Sequence, residues 1–164
     1  MQKVFQLLVD NTSGVLSRIS GLFSRRGYNI ESITAGVTAD QRYTRITITT
    51  TGDEDILEQI EKQVSKLVDV RDIRVLEPDA SVYRELVLIK VKTDKENRQP
   101  IISLADVFRA KIVDFAKDSV IIELTGNKSK VNAFIEMLED YEILEIARTG
   151  ITGLQRGMDG VITL

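Results

Sequence analysis

Residues 3–9 alternate with a period of two: Phe5, Leu7 and Val9 share one face, Val4 and Leu8 the other. That pattern predicts a strand covered on both sides. From Val15 the period lengthens, and Val15, Leu16, Ile19, Leu22 and Phe23 fall on one stripe of a helix that Gly27 ends. Residues 29–38 and 44–51 are rich in β-branched side chains and flank the polar Ala39-Asp40-Gln41-Arg42, which predicts a hairpin. Asp53 then caps or opens a helix carrying Ile56, Ile60, Val64 and Leu67, and residues 70–76 return to strand. The order is βαββαβ. After Glu77-Pro78-Asp79-Ala80-Ser81, where proline interrupts the pattern, it begins again. Residues 86–92 form a strand, and Ile101, Leu104, Ala105 and Phe108 mark a helix. A hairpin turns at Lys117-Asp118, Val131, Phe134, Ile135 and Leu138 mark the fourth helix, and residues 143–147 close the unit.

Two units of one order predict an α+β chain of two tandem ferredoxin-like βαββαβ sandwiches. The expected division is residues 1–77, a linker at 78–83, and a carboxy-terminal domain at 84–164. In that topology the second strand of each unit lies at a sheet edge. Residues 32–39 carry no charge and no proline, so this edge lacks the usual protection against pairing. A second copy of the same strand is the expected partner, giving a two-fold homodimer.

Composition narrows the chemistry. The 164 residues are 43% hydrophobic, enough for a real core, and contain neither Cys nor His. Thiolate chemistry, cysteine-ligated zinc and the commonest general base are therefore absent. A formal charge of −3 and 5% aromatics argue against nucleic acid as a main partner. No apolar run is long enough to cross a bilayer, and the first residues lack a secretory pattern, so a cytoplasmic protein is expected.

The turn before the first helix holds Asn11, Thr12 and Ser13, all good N-cap types, followed by Gly14. Two readings stand. These are turn residues capping an ordinary helix, or they form an anion site in which the N–H groups of Gly14, Val15 and Leu16 meet a carboxylate at the positive end of the helix dipole. Each charge-assisted bond contributes about 1.5–3 kcal/mol. If edge strands pair between copies, Asn29 and Ile30 of one copy approach this turn of the other. The resulting pocket suits a free amino acid with an aliphatic side chain against Val15, Leu16 and Ile30. Asn29 is otherwise a strand-entry residue. Gly21, in mid-helix, is either a close-packing site or an indifferent surface position. Asp53-Glu54-Asp55 reads as compensation of a helix dipole, and Gly126-Asn127-Lys128-Ser129 as a strand-to-helix turn.

The segments "NTSGVLSRISGLFSRRGYNIESIT" and "GDEDILEQIEKQVSKLVDV" resemble the small regulatory subunit of acetolactate synthase (acetohydroxyacid synthase). The likeness continues through "YRELVLIKV", "FRAKIVDF", "ELTGNKSKVNAFIEML" and "EIARTG". It implies an amino-terminal ACT domain that dimerises through its sheet edge and binds valine or a related branched-chain amino acid at the interface. It also implies a chain without catalysis of its own. The implied partner is the large catalytic subunit, where thiamine diphosphate, magnesium and FAD are expected; no cofactor or metal is expected in this chain. By position, Asn11, Gly14, Val15 and Leu16 match the effector loop, and Asn29 and Ile30 the strand from the other protomer, with Ser17 and Gly36 nearby. One departure is Ile33-Thr34-Ala35-Gly36 where the family usually shows Leu-Thr-Val. An amino-acid-sensing transcription regulator is the rival reading, but it needs a DNA-binding segment, and both units are already used by the fold. A self-contained small enzyme is the other, and it lacks convergent polar residues.

Overall fold

The computed structural model describes residues 1–158; residues 159–164, expected with the carboxy-terminal domain, lie outside the described residues. The first unit is built from β1 (Gln2–Asp10), α1 (Val15–Arg25), β2 (Asn29–Val37), β3 (Tyr43–Thr51), α2 (Glu54–Ser65) and β4 (Val70–Val75). Its antiparallel sheet runs β2-β3-β1-β4, so β2 and β4 are the edges. This is the ferredoxin-like order. Phe5, Leu7 and Val9 of β1 meet Val15, Ile19, Leu22 and Phe23 of α1 and Leu57, Ile60 and Val64 of α2 in one core. Each such fully buried side chain contributes about 1.5–3 kcal/mol. The stripe of α2 is rotated slightly from the predicted one: Leu57 is fully buried, Ile56 lies at its margin and Leu67 falls beyond the helix. Asp53 caps α2 as expected, accepting the N–H of Ile56 at 2.9 Å.

The second unit contains α3 (Arg98–Val107), β6 (Lys111–Phe115), β7 (Ser119–Gly126), α4 (Lys128–Met137) and β8 (Ile143–Arg148), with most of β5 (Ser81–Lys92). Its order is β6-β7-β5-β8, the same topology. Val87, Ile89 and Val91 pack with Val120, Ile122 and Leu124 against Ile101, Val131 and Phe134. The Asn127 side chain caps α4 by accepting the Lys130 N–H at 2.9 Å, which accounts for the Gly126-Asn127-Lys128-Ser129 turn.

Two boundaries differ from expectation. The linker shortens to a single 3₁₀ turn, Pro78–Ala80, because Ser81 already begins β5. More consequentially, residues 150–158, expected with the carboxy-terminal domain, group with the first unit, and the second compact unit is Arg84–Thr149. The reason is burial. Gly150 turns the chain at φ 79°, and Ile151 buries against Val4, Leu76 and Tyr83. The short strand β9 (Thr152–Gln155) pairs with β5, and the Arg156 N–H donates to the Ala80 carbonyl at 2.7 Å. This tail also covers part of the second face of β1: Val4 packs with Ile151, and the buried Gln6 amide donates to the Gly153 carbonyl at 2.5 Å.

Gly21 has only Arg25 of its own helix near the place of a Cβ, at 3.5 Å. Among the described residues, no close packing requires a glycine there.

Candidate functional site

The turn between β1 and α1 is anchored through its backbone. Asp10 donates its N–H to the Asp69 carbonyl at 2.9 Å, and Asn11 donates to the Arg42 carbonyl at 2.7 Å. The Asn11 side chain joins the same hairpin loop: its Nδ2 donates to the Gln41 carbonyl at 2.8 Å, and its Oδ1 accepts from the Thr44 hydroxyl at 3.1 Å. Asn11 therefore does not cap α1, and neither do Thr12 and Ser13. The N-cap position is Gly14, in the left-handed region at φ 84°, with no side-chain cap. This corrects the capping expectation. Competition with the hairpin loop took the Asn11 amide, and the first-turn N–H donors are left without a side-chain acceptor, as an anion site requires. Asn11 keeps one amide hydrogen and one carbonyl lone pair beyond the bonds described.

Val15 is buried in the core while Leu16 is about half exposed beside it. Sequence reasoning passed over Arg18. Its Nε and Nη2 hold Asp69 at 2.6 and 3.1 Å, while its Nη1 would lie only 2.9 Å from a Cβ on Gly14. Position 14 favours glycine for its φ, and a Cβ there would also push the end of the Arg18 side chain aside. The spacing from Gly14 to Arg18 is one helical turn, which was the available signal.

Asn29 opens β2. Its Nδ2 donates to the Thr51 hydroxyl at 3.2 Å, and its carbonyl accepts from Thr50. Ile30 is half-buried against the first core. The register places these residues far from the turn within one chain: Asn29 lies opposite Thr51 and thus level with Gln2, whereas Val37 lies opposite Thr44 and level with Val9. Nine residues of strand separate the two ends, roughly 27 Å of rise. Asn11, Gly14, Val15 and Leu16 are brought together; Asn29 and Ile30 are not brought to them in one copy. Ser17 is exposed on α1, and Gly36 is exposed on β2 opposite Arg45.

Along the open edge, Ala35, Gly36 and Val37 are exposed, and Val37 is 56% accessible. Among the described residues no group of three or more acidic side chains is placed to hold a metal, and no helix is long and apolar enough to cross a membrane.

The ferredoxin-like first unit, with its open edge strand and glycine turn, is an ACT domain: residues 5–72 match the model of the AHAS small subunit-like ACT domain. Residues 84–157 match the model described as small subunit of acetolactate synthase. The chain is 47% identical over 158 residues to the probable acetolactate synthase small subunit of Archaeoglobus fulgidus, covering 96% of this chain and 98% of that protein. It is 43% identical over 158 residues to the acetolactate synthase isozyme 3 small subunit of Escherichia coli, covering 96% and 97%. The crystal structure of the acetolactate synthase small subunit from Thermotoga maritima matches with a TM-score of 0.89 at 42% identity, covering 96% of this chain and 99% of that one. The chain belongs to the acetolactate synthase small-subunit family, the regulatory and non-catalytic subunits of that enzyme.

Proposed function

We propose that this chain forms a homodimer through β2, binds valine at the seam, stimulates the catalytic subunit of acetolactate synthase and confers feedback inhibition in branched-chain amino acid biosynthesis. The observation that carries the reading is the uncapped start of α1 beside Asn11, at the sheet end level with Val37. A two-fold axis normal to the sheet sets the two edge strands antiparallel. The partner's Asn29 end then comes beside Val37, next to the turn at residues 11–16. The valine carboxylate takes the N–H groups at Gly14, Val15 and Leu16, with the helix dipole adding positive charge. The Asn11 and Asn29 amides accept from the ammonium, and Leu16 and Ile30 cover the isopropyl group. Isoleucine and leucine compete, because an aliphatic pocket separates one methylene by only about 1–3 kcal/mol.

Inhibition follows if valine favours one dimer arrangement and that arrangement holds the catalytic partner less active. A coupling of about 1–3 kcal/mol is sufficient. Thiamine diphosphate, magnesium and FAD belong, in this reading, to the large subunit, and the complex works in the cytoplasm. The test is to add the purified chain to its catalytic subunit with and without valine. Raised acetolactate formation that valine reverses supports the reading; the same rate with and without the chain contradicts it.

A further inference from the structure

A second polar site lies on the other face of the first sheet. Phe5, Leu7 and Val9 face the helices, so the intervening positions of β1 and their cross-strand partners face away. One row there reads Gly36, Arg45, Leu8, Asp72, and the next reads Thr34, Thr47, Gln6, Arg74. At the β2 end of these rows is a cavity of about 270 Å³ lined by residues 34–37 of β2 with Arg45, Thr47 and Thr152.

Arg45 is poorly compensated. Its Nη1 donates to the neutral Gln6 Oε1 at 3.1 Å, and no carboxylate among the described residues forms an ion pair with it. The nearest acid in its row, Asp72, is held by Arg74 at 2.7 Å. Burial and, after it, the charge of Arg74 lower the Arg45 pKa from its ordinary value, with Asp72 opposing. Of five guanidinium donors, one is used.

We propose that this cavity is a binding site for a small monocarboxylate, held by the Arg45 fork, with the hydroxyls of Thr47 and Thr152 beside it. The fork matches a carboxylate through two parallel bonds. One uncompensated cation balances one negative charge, which selects a carboxylate over a phosphate dianion. The site differs from the valine pocket in its binding groups: Thr34, Arg45 and Thr47 stand in the rows that face away from α1.

The test titrates acetate, propionate and inorganic phosphate separately into the full chain, following the Arg45 Nε–H resonance by NMR and the binding heat by calorimetry. Saturable binding of acetate and propionate in the millimolar range is expected, with phosphate weaker. Arg45→Gln should weaken the carboxylate by about tenfold or more and Arg45→Lys by less, because lysine keeps charge but not the fork. Thr152→Val, at an exposed position, should weaken it a few-fold. Valine binding measured on the same variants should be unchanged, so failure of the valine reading and failure of this one are separately visible. No saturable shift at Arg45, equal binding by Arg45→Gln, or weakened dimerisation of Arg45→Gln without any anion binding would each overturn the proposal. The last would mean that an acidic side chain of a second copy fills the site.

Discussion

Position 14 concentrates the demands on a single residue. An alanine there must adopt φ near 84° and place its Cβ 2.9 Å from Arg18 Nη1. Gly14→Ala should therefore cost about 1–2 kcal/mol in urea unfolding and weaken valine more than that loss suggests, since Arg18 must move. Asn11→Ala removes two hydrogen bonds to the hairpin and should cost about 1–3 kcal/mol. The hairpin also carries a pH signal. Arg42 holds the Asp40 carboxyl at about 2, below its ordinary 3.8, chiefly through side-chain hydrogen bonds. A lowered carboxyl pKa stabilises the native state fully above the ordinary value and loses that contribution as pH falls through the native one. The stability difference between wild type and Asp40→Asn should thus shrink from about pH 4 to about pH 2 in acid unfolding curves. A constant difference across that range would mean that the pair does not stabilise the fold. At this scale the sequence announced Gly14 and its conformational role, but offered Asn11 as a helix cap when its side chain is held by the hairpin. N-cap preference is local, and the loop carbonyl that takes the Asn11 amide lies 30 residues on.

Among elements, the periodic ones were legible. Each strand and helix of both units follows from a period of two or 3.6 and from punctuation by Gly, Pro and Asp. The tail was not. Ile151-Thr152-Gly153-Leu154 has no period of its own, and its partner Gln6 is 147 residues away in sequence, so only the folded chain reveals the contact. Because Ile151 is buried, Ile151→Ala should lower unfolding free energy by about 2–5 kcal/mol. Gly150→Ala should also destabilise, since its Cβ would fall 2.4 Å from Ser32 Cβ in a left-handed backbone. The edge strand makes a separate prediction. Val37 is exposed in the single chain, so Val37→Lys should fold normally while placing like charges at the proposed seam. Sedimentation should show the dimer weakened by about tenfold or more, with valine affinity falling in parallel. A variant that remains dimeric at the wild-type concentration would show that β2 is not the seam.

For the whole molecule, two units repeat one topology, but their exposed features differ. The first unit's edge strand is uncharged from Ser32 to Val37, whereas the corresponding edge of the second, β6, carries Lys111 and Asp114. The proposed valine site is placed on the first unit for that reason. The proposed valine site needs residues from both ends of the sheet, and one chain separates them, so the site exists only across a pair. Subunit mixing tests this most directly. Asn11→Ala and Asn29→Ala homodimers should each bind no valine at concentrations that saturate wild type. In an exchanged mixture, every heterodimer pairs the intact Asn11 of one chain with the intact Asn29 of the other and so regains one site. Calorimetry should then show wild-type affinity at reduced stoichiometry. If exchange is complete and no binding returns, each site is built within a single chain and the account is wrong.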